Sequence, residues 1–378
     1  MANRPVHSRL ASRGDPHRTF VFPIGMRRTA LSRSIRMQNT SQVSADGIKR
    51  RIDVHHHIFP NTLRKAEQSK AVGFRTPPEN LPWSPAVSLQ AMDALGIDIA
   101  VLSLPAGVPC GPIGPENCQA ARELNLLMAQ VCEMHPGRFG FFACLPIPGD
   151  TNTALDELAF ALDELHADGI ALPSSYGEGS SATYLGDDLY DPIWEELNRR
   201  GTVVFLHGTQ TPSSNPYPHP FLGLPITEVP NETYKGAAHL VVTGKKRKFS
   251  NVKIILSHLG GSTISLAPRV AVLSKHMGCP LSPEEILQDF QSFYYETALS
   301  AHKATLSALK SFVGPDRVLF GTDFPAVNKD MATWYTENLD QFYSDDPEQL
   351  EAINNGNALS LIPTLRRLLS RANGSEAM

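Results

Sequence analysis

Histidines and a carboxylate recur in this chain at the ends of strand-like runs. His55, His56 and His57 stand together in RIDVHHHIFP (51–60), His207 ends TVVFLHG, His258 lies in VKIILSHLG, and Asp323 sits in RVLFGTDFP. Neutral imidazoles and a carboxylate are donors suited to a divalent cation, Zn²⁺, Mn²⁺ or Fe²⁺, and donor type alone does not choose among them. Cysteine is absent from the set, which fits a catalytic site with open positions rather than a structural zinc. Side chains alternate along a strand, so strict period two puts Asp53, His55 and His57 on one face and Val54 and His56 on the other. Two imidazoles roughly 6–7 Å apart along a strand can pinch one ion.

Residues this far apart meet only if the fold gathers strand ends. Eight β-branched or aromatic runs read as strands: 52–58, 97–105, 139–147, 169–175, 202–208, 252–260, 293–300 and 317–325. Helical patterns such as ENCQAARELNLLMAQVCEMH and DPIWEELNRRG lie between them, several ending in glycine. Continuous apolar strands alternating with helices predict a parallel sheet covered by helices, and eight units predict a (β/α)₈ TIM barrel. Its metal site would lie at the C-terminal ends of the strands. The segments 60–84 and 209–232 read as longer insertions at that same end.

The 378 residues carry a net charge of −4, unevenly spread: residues 1–51 hold eleven Lys/Arg against two acids, leaving an acidic remainder. Residues 1–49 read as a basic, disordered extension or an organellar transit peptide, followed by one barrel domain over 50–378. No apolar run approaches the roughly 18 residues of a membrane span. The basic segment lacks interleaved aromatics or a nucleic-acid module, so neither membrane nor nucleic acid is expected as a partner. Five cysteines without a C-x-x-C pair suggest a reducing compartment, the cytoplasm, with a mitochondrial location as the alternative.

With these motifs in place, the chain resembles the amidohydrolase superfamily, and more closely its aminocarboxymuconate semialdehyde decarboxylase-like branch. The matching words are DVHHHIFP, FLHG, ILSHLGG, LFGTDFP and the late GNALSL, across about 52–365. The resemblance implies one divalent metal, Zn²⁺ or Mn²⁺, on His55, His57, His207 and Asp323, and no organic cofactor. A second metal is not implied, because the fourth strand, GIALPSS, lacks the bridging lysine of two-metal relatives. It assigns His258 to metal-bound water or substrate, and makes Asp323 and His258 the catalytic pair. Arg269 resembles an arginine presented across a subunit interface to a substrate carboxylate, which implies a homodimer; its alternative is a solvated helix arginine.

The phrases DVHHHIFP, GTDFPA and SHLGG look closest to the fungal 6-methylsalicylate decarboxylases. They imply nonoxidative decarboxylation of a small aromatic carboxylate, 6-methylsalicylate to m-cresol and carbon dioxide, in polyketide secondary metabolism. A metal-dependent lactone or amide hydrolase on the same barrel is the alternative, and a barrel whose strand-end histidines are structural or bind metal without turnover is a third. Phe59 and Phe324, with Trp83 and Phe221, are candidates to wall the substrate ring. Asp53 is read as support or a strand cap, His219 as solvated, Glu296 as structural, and Ser257 and Thr322 as facing away from the site.

Overall fold

The structure, a computed structural model, describes residues 50–368 except 108–112, 150, 178–181 and 210–217. The expected extension 1–49, residues 210–217 of insertion 209–232 and the end of the chain lie outside the described residues. Eight parallel strands follow one another around a single sheet: β1 Arg51–His57, β2 Ile97–Ser103, β3 Phe139–Cys144, β4 Gly169–Pro173, β5 Val203–His207, β6 Lys253–Leu256, β7 Tyr294–Glu296 and β8 Val318–Leu319. The ring closes through backbone bonds from Val54 N to Phe320 O (3.0 Å), His57 N to Phe324 O (2.7 Å) and Asp323 N to His55 O (2.8 Å). The fold is the (β/α)₈ barrel expected from the alternation.

The helices begin with α1 Lys65–Ala71, α2 Pro85–Leu95, α3 Pro115–Met134, α4 Thr151–Ala159 and α5 Asp191–Arg200. They continue with α6 Val229–Val242, α7 Thr263–His276, α8 Pro283–Gln291, α9 Lys303–Phe312 and α10 Lys329–Phe342. Their limits follow local chemistry. Proline opens α2, α3 and α8, where its missing N–H costs nothing, and left-handed glycines stop α2 at Gly96 and α5 at Gly201. Among the described residues no helix is long and apolar enough to cross a membrane.

Two apolar layers hold the sheet. Leu102, Leu206 and Leu256 pack outward under the helices. Ile52, Val54, Val101, Phe142, Phe205 and Ile255 fill the barrel interior, and Ala358, Ile362 and Leu365 pack into that same cluster. Each such side chain contributes roughly 1.5–3 kcal/mol when fully buried. This dry plug forms the floor on which the polar site rests.

The strict alternation expected of β1 fails at one point. A register shift between Asp53 and His56 breaks the ladder with β2, so Ile52 and Val54 point into the barrel and, one bulge later, His55 and His57 do too. Asp53 and His56 are left together on the outer side, contrary to the expected grouping of Asp53 with His55 and His57. The predicted ends of β6 and β8 were also too long. β6 stops at Leu256 and β8 at Leu319, after which His258 and Asp323 adopt left-handed backbone (φ 56° and 63°). Non-glycine residues held there cost of order 1–3 kcal/mol, and such strain concentrates at functional sites.

Candidate active site

Strand β1 brings His55 and His57 together with the end of β8. His55 Nε2 lies 3.0 Å from His57 Nε2, and Asp323 Oδ1 is 3.4 Å from the former and 3.1 Å from the latter. His207, at the end of β5, places its ring centroid 5.1 Å from His55 and 5.4 Å from His57. His258, just past β6, is 4.8 Å from His55 and 5.3 Å from His207. Donor atoms of His55, His57 and His207 form one compact group, and those of His55, His258 and Asp323 form a second that shares His55.

Each ring is turned the same way. His55 Nδ1 donates to Glu296 Oε1 (2.8 Å), His207 Nδ1 to Gly208 O (2.8 Å) and His258 Nδ1 to Ala298 O (3.1 Å). His57 Nδ1 is held by Ser103, through its hydroxyl at 3.1 Å and its carbonyl at 3.3 Å. A carbonyl or carboxylate oxygen accepts the Nδ1 proton and so leaves Nε2 as the lone-pair donor facing the cluster, as in metal-ligating histidines. Donors about 2.0–2.2 Å from one ion lie roughly 3.0–3.4 Å apart, and the close spacings of His55, His57 and Asp323 match those edges.

The electrostatics ask for a positive charge at this point. Burial would pull the His55 imidazole down, but the Glu296 and Asp323 carboxylates prevail and push it up to about 10. Burial pushes His57 down to about 4, and lowers His207 and His258 as well. Burial opposes ionisation of Asp323, yet the neighbouring His55 charge holds its carboxyl well below the usual range. The two carboxylates thus hold positive charge on His55, and a divalent ion would take that proton's place on Nε2 and meet four imidazoles and Asp323.

Glu296, read from sequence as structural, orients this set. Its Oε1 accepts from the His258 backbone N–H (2.5 Å) as well as from His55, and Oε2 accepts from Ala298 N (2.6 Å). Gly321 makes room for it: a Cβ there would lie 2.1 Å from Glu296 Oε2 and 2.9 Å from His55 Cβ. The available signal was a lone acid ending the apolar seventh strand, level with ligands on its neighbours. Glu296→Gln keeps the shape but cannot accept every one of these donors. Metal titration should show affinity down about 10–100-fold with the fold retained.

On the outer side of β1, Asp53 accepts from Thr322 Oγ1 (2.5 Å), Thr322 N (3.1 Å) and His55 N (3.0 Å), and pairs with His56 Nδ1 (3.0 Å). His56 Nε2 meets Ser88 Oγ on α2 (2.9 Å), which also accepts from Trp83 Nε1 (3.0 Å). This buried network joins β1, β8 and α2. His56→Ala should therefore retain metal yet lose roughly 2–4 kcal/mol of stability, because Asp53 loses a buried partner. Metal analysis beside denaturant unfolding checks it, and an emptied site would contradict the placement of His56.

A cavity of about 360 Å³ opens above the cluster, with His57, His207, His258 and Asp323 in its lining. Apolar walls come from Val72, Phe74, Ile226, Val229, Val327 and Met331, with Tyr335 and Ser300 as polar points. The aromatic residues expected to wall the ring are elsewhere. Phe59 is buried and stacks parallel to His57 (6.4 Å, 17°), buttressing that imidazole. Phe324 is buried against His56, Trp83 belongs to the outer network, and Phe221 is 83% exposed with His219 against it. Ser257 bonds Thr233 on α6, and Arg269 lies exposed on α7 without a hydrogen bond or ion pair among the described residues.

Comparison with known proteins finds similar sequences and similar folds. The family model described as Amidohydrolase matches residues 52–363. A 6-methylsalicylic acid decarboxylase of Aspergillus aculeatus is 37% identical over 335 residues, covering 86% of this chain and 98% of that protein. The 6-methylsalicylic acid decarboxylase of Penicillium expansum is 35% identical over 327 residues, covering 85% and 99%. Among solved structures, a dihydroxybenzoic acid decarboxylase from Polaromonas sp. JS666, with bound manganese and the inhibitor 2-nitroresorcinol, superposes with TM-score 0.72. It is 25% identical and covers 83% of this chain and 96% of that one.

Proposed function

Since the chain belongs to the amidohydrolase family, we propose that it is a metal-dependent, nonoxidative carboxy-lyase that converts 6-methylsalicylate to m-cresol and carbon dioxide. The observation that carries this reading is a floor of four inward-turned imidazoles and a carboxylate beneath an apolar cavity, in a chain 37% identical to a 6-methylsalicylic acid decarboxylase. The ion, Mn²⁺ or Zn²⁺, would be held by His55, His57, His207 and Asp323. It would supply positive charge for the acid's carboxylate and ortho oxygen.

The chain's own groups handle the proton. Asp323, assisted by His258, delivers a proton to the ring carbon that bears the carboxylate, which interrupts aromaticity. The carbon–carbon bond then breaks, carbon dioxide leaves, and the bonding pair returns to the ring to restore aromaticity. A proton from solvent recharges the pair, so the reaction balances without oxygen or an organic cofactor. The apolar walls keep bulk water from the ring, which strengthens every electrostatic contact.

Residues 50–378 are taken as one barrel domain. Exposed Arg269, beside exposed Val272, Leu273 and Met277 on and after α7, is read as an interface residue of a homodimer that reaches the partner's substrate. Cytoplasmic location and a place in polyketide secondary metabolism belong to the same proposal. The test incubates metal-loaded protein with 6-methylsalicylate and follows carbon dioxide and m-cresol, with and without chelator. Opening of a lactone without carbon dioxide release would instead favour a hydrolase on the same site.

A further inference from the structure

We propose that the site also takes salicylates whose methyl group is extended to a longer alkyl chain, giving 3-alkylphenols and carbon dioxide, an inference that rests on the decarboxylase reading. The cavity measures about 360 Å³. A void of about 150 Å³ holds a benzene ring, so a ring with three small substituents fills only part of this one. The walls around the spare room are apolar. Val72 and Phe74 follow α1, Ile226 comes from the turn Leu224–Thr227, Val327 precedes α10 and Met331 lies in its first turn.

Two observations make these walls a path for a chain as well as a lining for a ring. The apolar surface continues outward, from buried Val229 and Val327 to Ile226 and Met331, which line the cavity yet are about half exposed. The wall is also held in place. Leu224 N donates to Val72 O (3.0 Å), and Gly223 passes so close that a Cβ there would lie 2.2 Å from Gly73 O. The two insertions are pinned to each other through their backbones, which fixes where Val72 and Ile226 stand. Little polar surface would be dehydrated, since the Ser69 hydroxyl is bonded to Thr76 (2.7 Å) and the Lys65 ammonium sits over the Phe59 ring (4.7 Å). Each methylene moved from water onto this wall strengthens binding by up to about fourfold. The chain leaves the carboxylate, the ortho oxygen and the protonated ring carbon unchanged, so the gain is uniform: KM falls and kcat stays.

The experiment gives the full metal-loaded chain 6-methyl-, 6-ethyl- and 6-propylsalicylate and follows carbon dioxide and the 3-alkylphenol. From methyl to propyl, KM should fall about two- to fourfold per methylene, with kcat within about threefold. In Ile226→Ser and Met331→Ser the ratio of the methyl to the propyl KM should shrink about threefold or more, whatever the constants for the methyl acid. No turnover of the longer acids by a protein that turns over 6-methylsalicylate, a KM that rises with chain length, or an unchanged ratio in both variants would overturn the proposal. Binding needs no turnover, so calorimetry separates the two readings. A protein that binds the propyl acid more tightly than the methyl acid but releases no carbon dioxide would support the alkyl path and sink the decarboxylase reading alone.

Discussion

His55→Ala and His57→Ala should each purify without stoichiometric metal and with decarboxylation reduced roughly a thousandfold or more. Both rings contribute Nε2 to the closest contact of the cluster, 3.0 Å apart, and both meet Asp323 Oδ1. Their effects on stability should differ. Removing His55 leaves the Glu296 carboxylate fully buried without its imidazole partner, and stranding a buried charge costs roughly 3–5 kcal/mol. Removing His57 takes one partner from the Ser103 hydroxyl, a neutral group that still reaches the His56 carbonyl (3.5 Å), and costs less. Thermal melts of chelator-treated proteins would therefore rank wild type first, His57→Ala second and His55→Ala last. Equal melts with metal retained would contradict the assigned roles.

Asp323→Asn should be the other severe variant. The amide matches the carboxylate in shape, and asparagine tolerates left-handed backbone as aspartate does, so the φ of 63° is no obstacle. It cannot carry the proton destined for the ring carbon, and it removes a negative charge beside His55 and His57 that would hold the ion. At saturating metal, kcat should fall roughly 10³–10⁴-fold, while metal affinity weakens about 10–100-fold. Assays across a manganese titration separate the two effects. Full recovery at high metal would confine Asp323 to a ligand and remove it from proton transfer.

The barrel and the convergence of His55, His57, His207, His258 and Asp323 were legible because periodicity reports strands and all C-terminal ends of a barrel share one mouth. The bulge in β1 was not legible. It depends on the register with β2, and it alone moves Asp53 to the outer network beside His56. Glu296 was undervalued because a single acid in a strand carries no motif; its role appears only when Gly321 lets it approach His55. Phe59 and Phe324 were misplaced as ring walls because both follow the end of regular strand structure, where alternation no longer sets side-chain direction.

The central claim is proton-for-carboxylate exchange at one ring carbon without oxidation. Metal-loaded protein is incubated with 6-methylsalicylate in D₂O under anaerobic conditions, and the products are read by mass spectrometry and proton NMR. The account predicts m-cresol carrying one deuterium on the carbon that bore the carboxylate, with one carbon dioxide released per m-cresol. It would be contradicted by unchanged acid in the presence of bound manganese or zinc, or by turnover that requires oxygen.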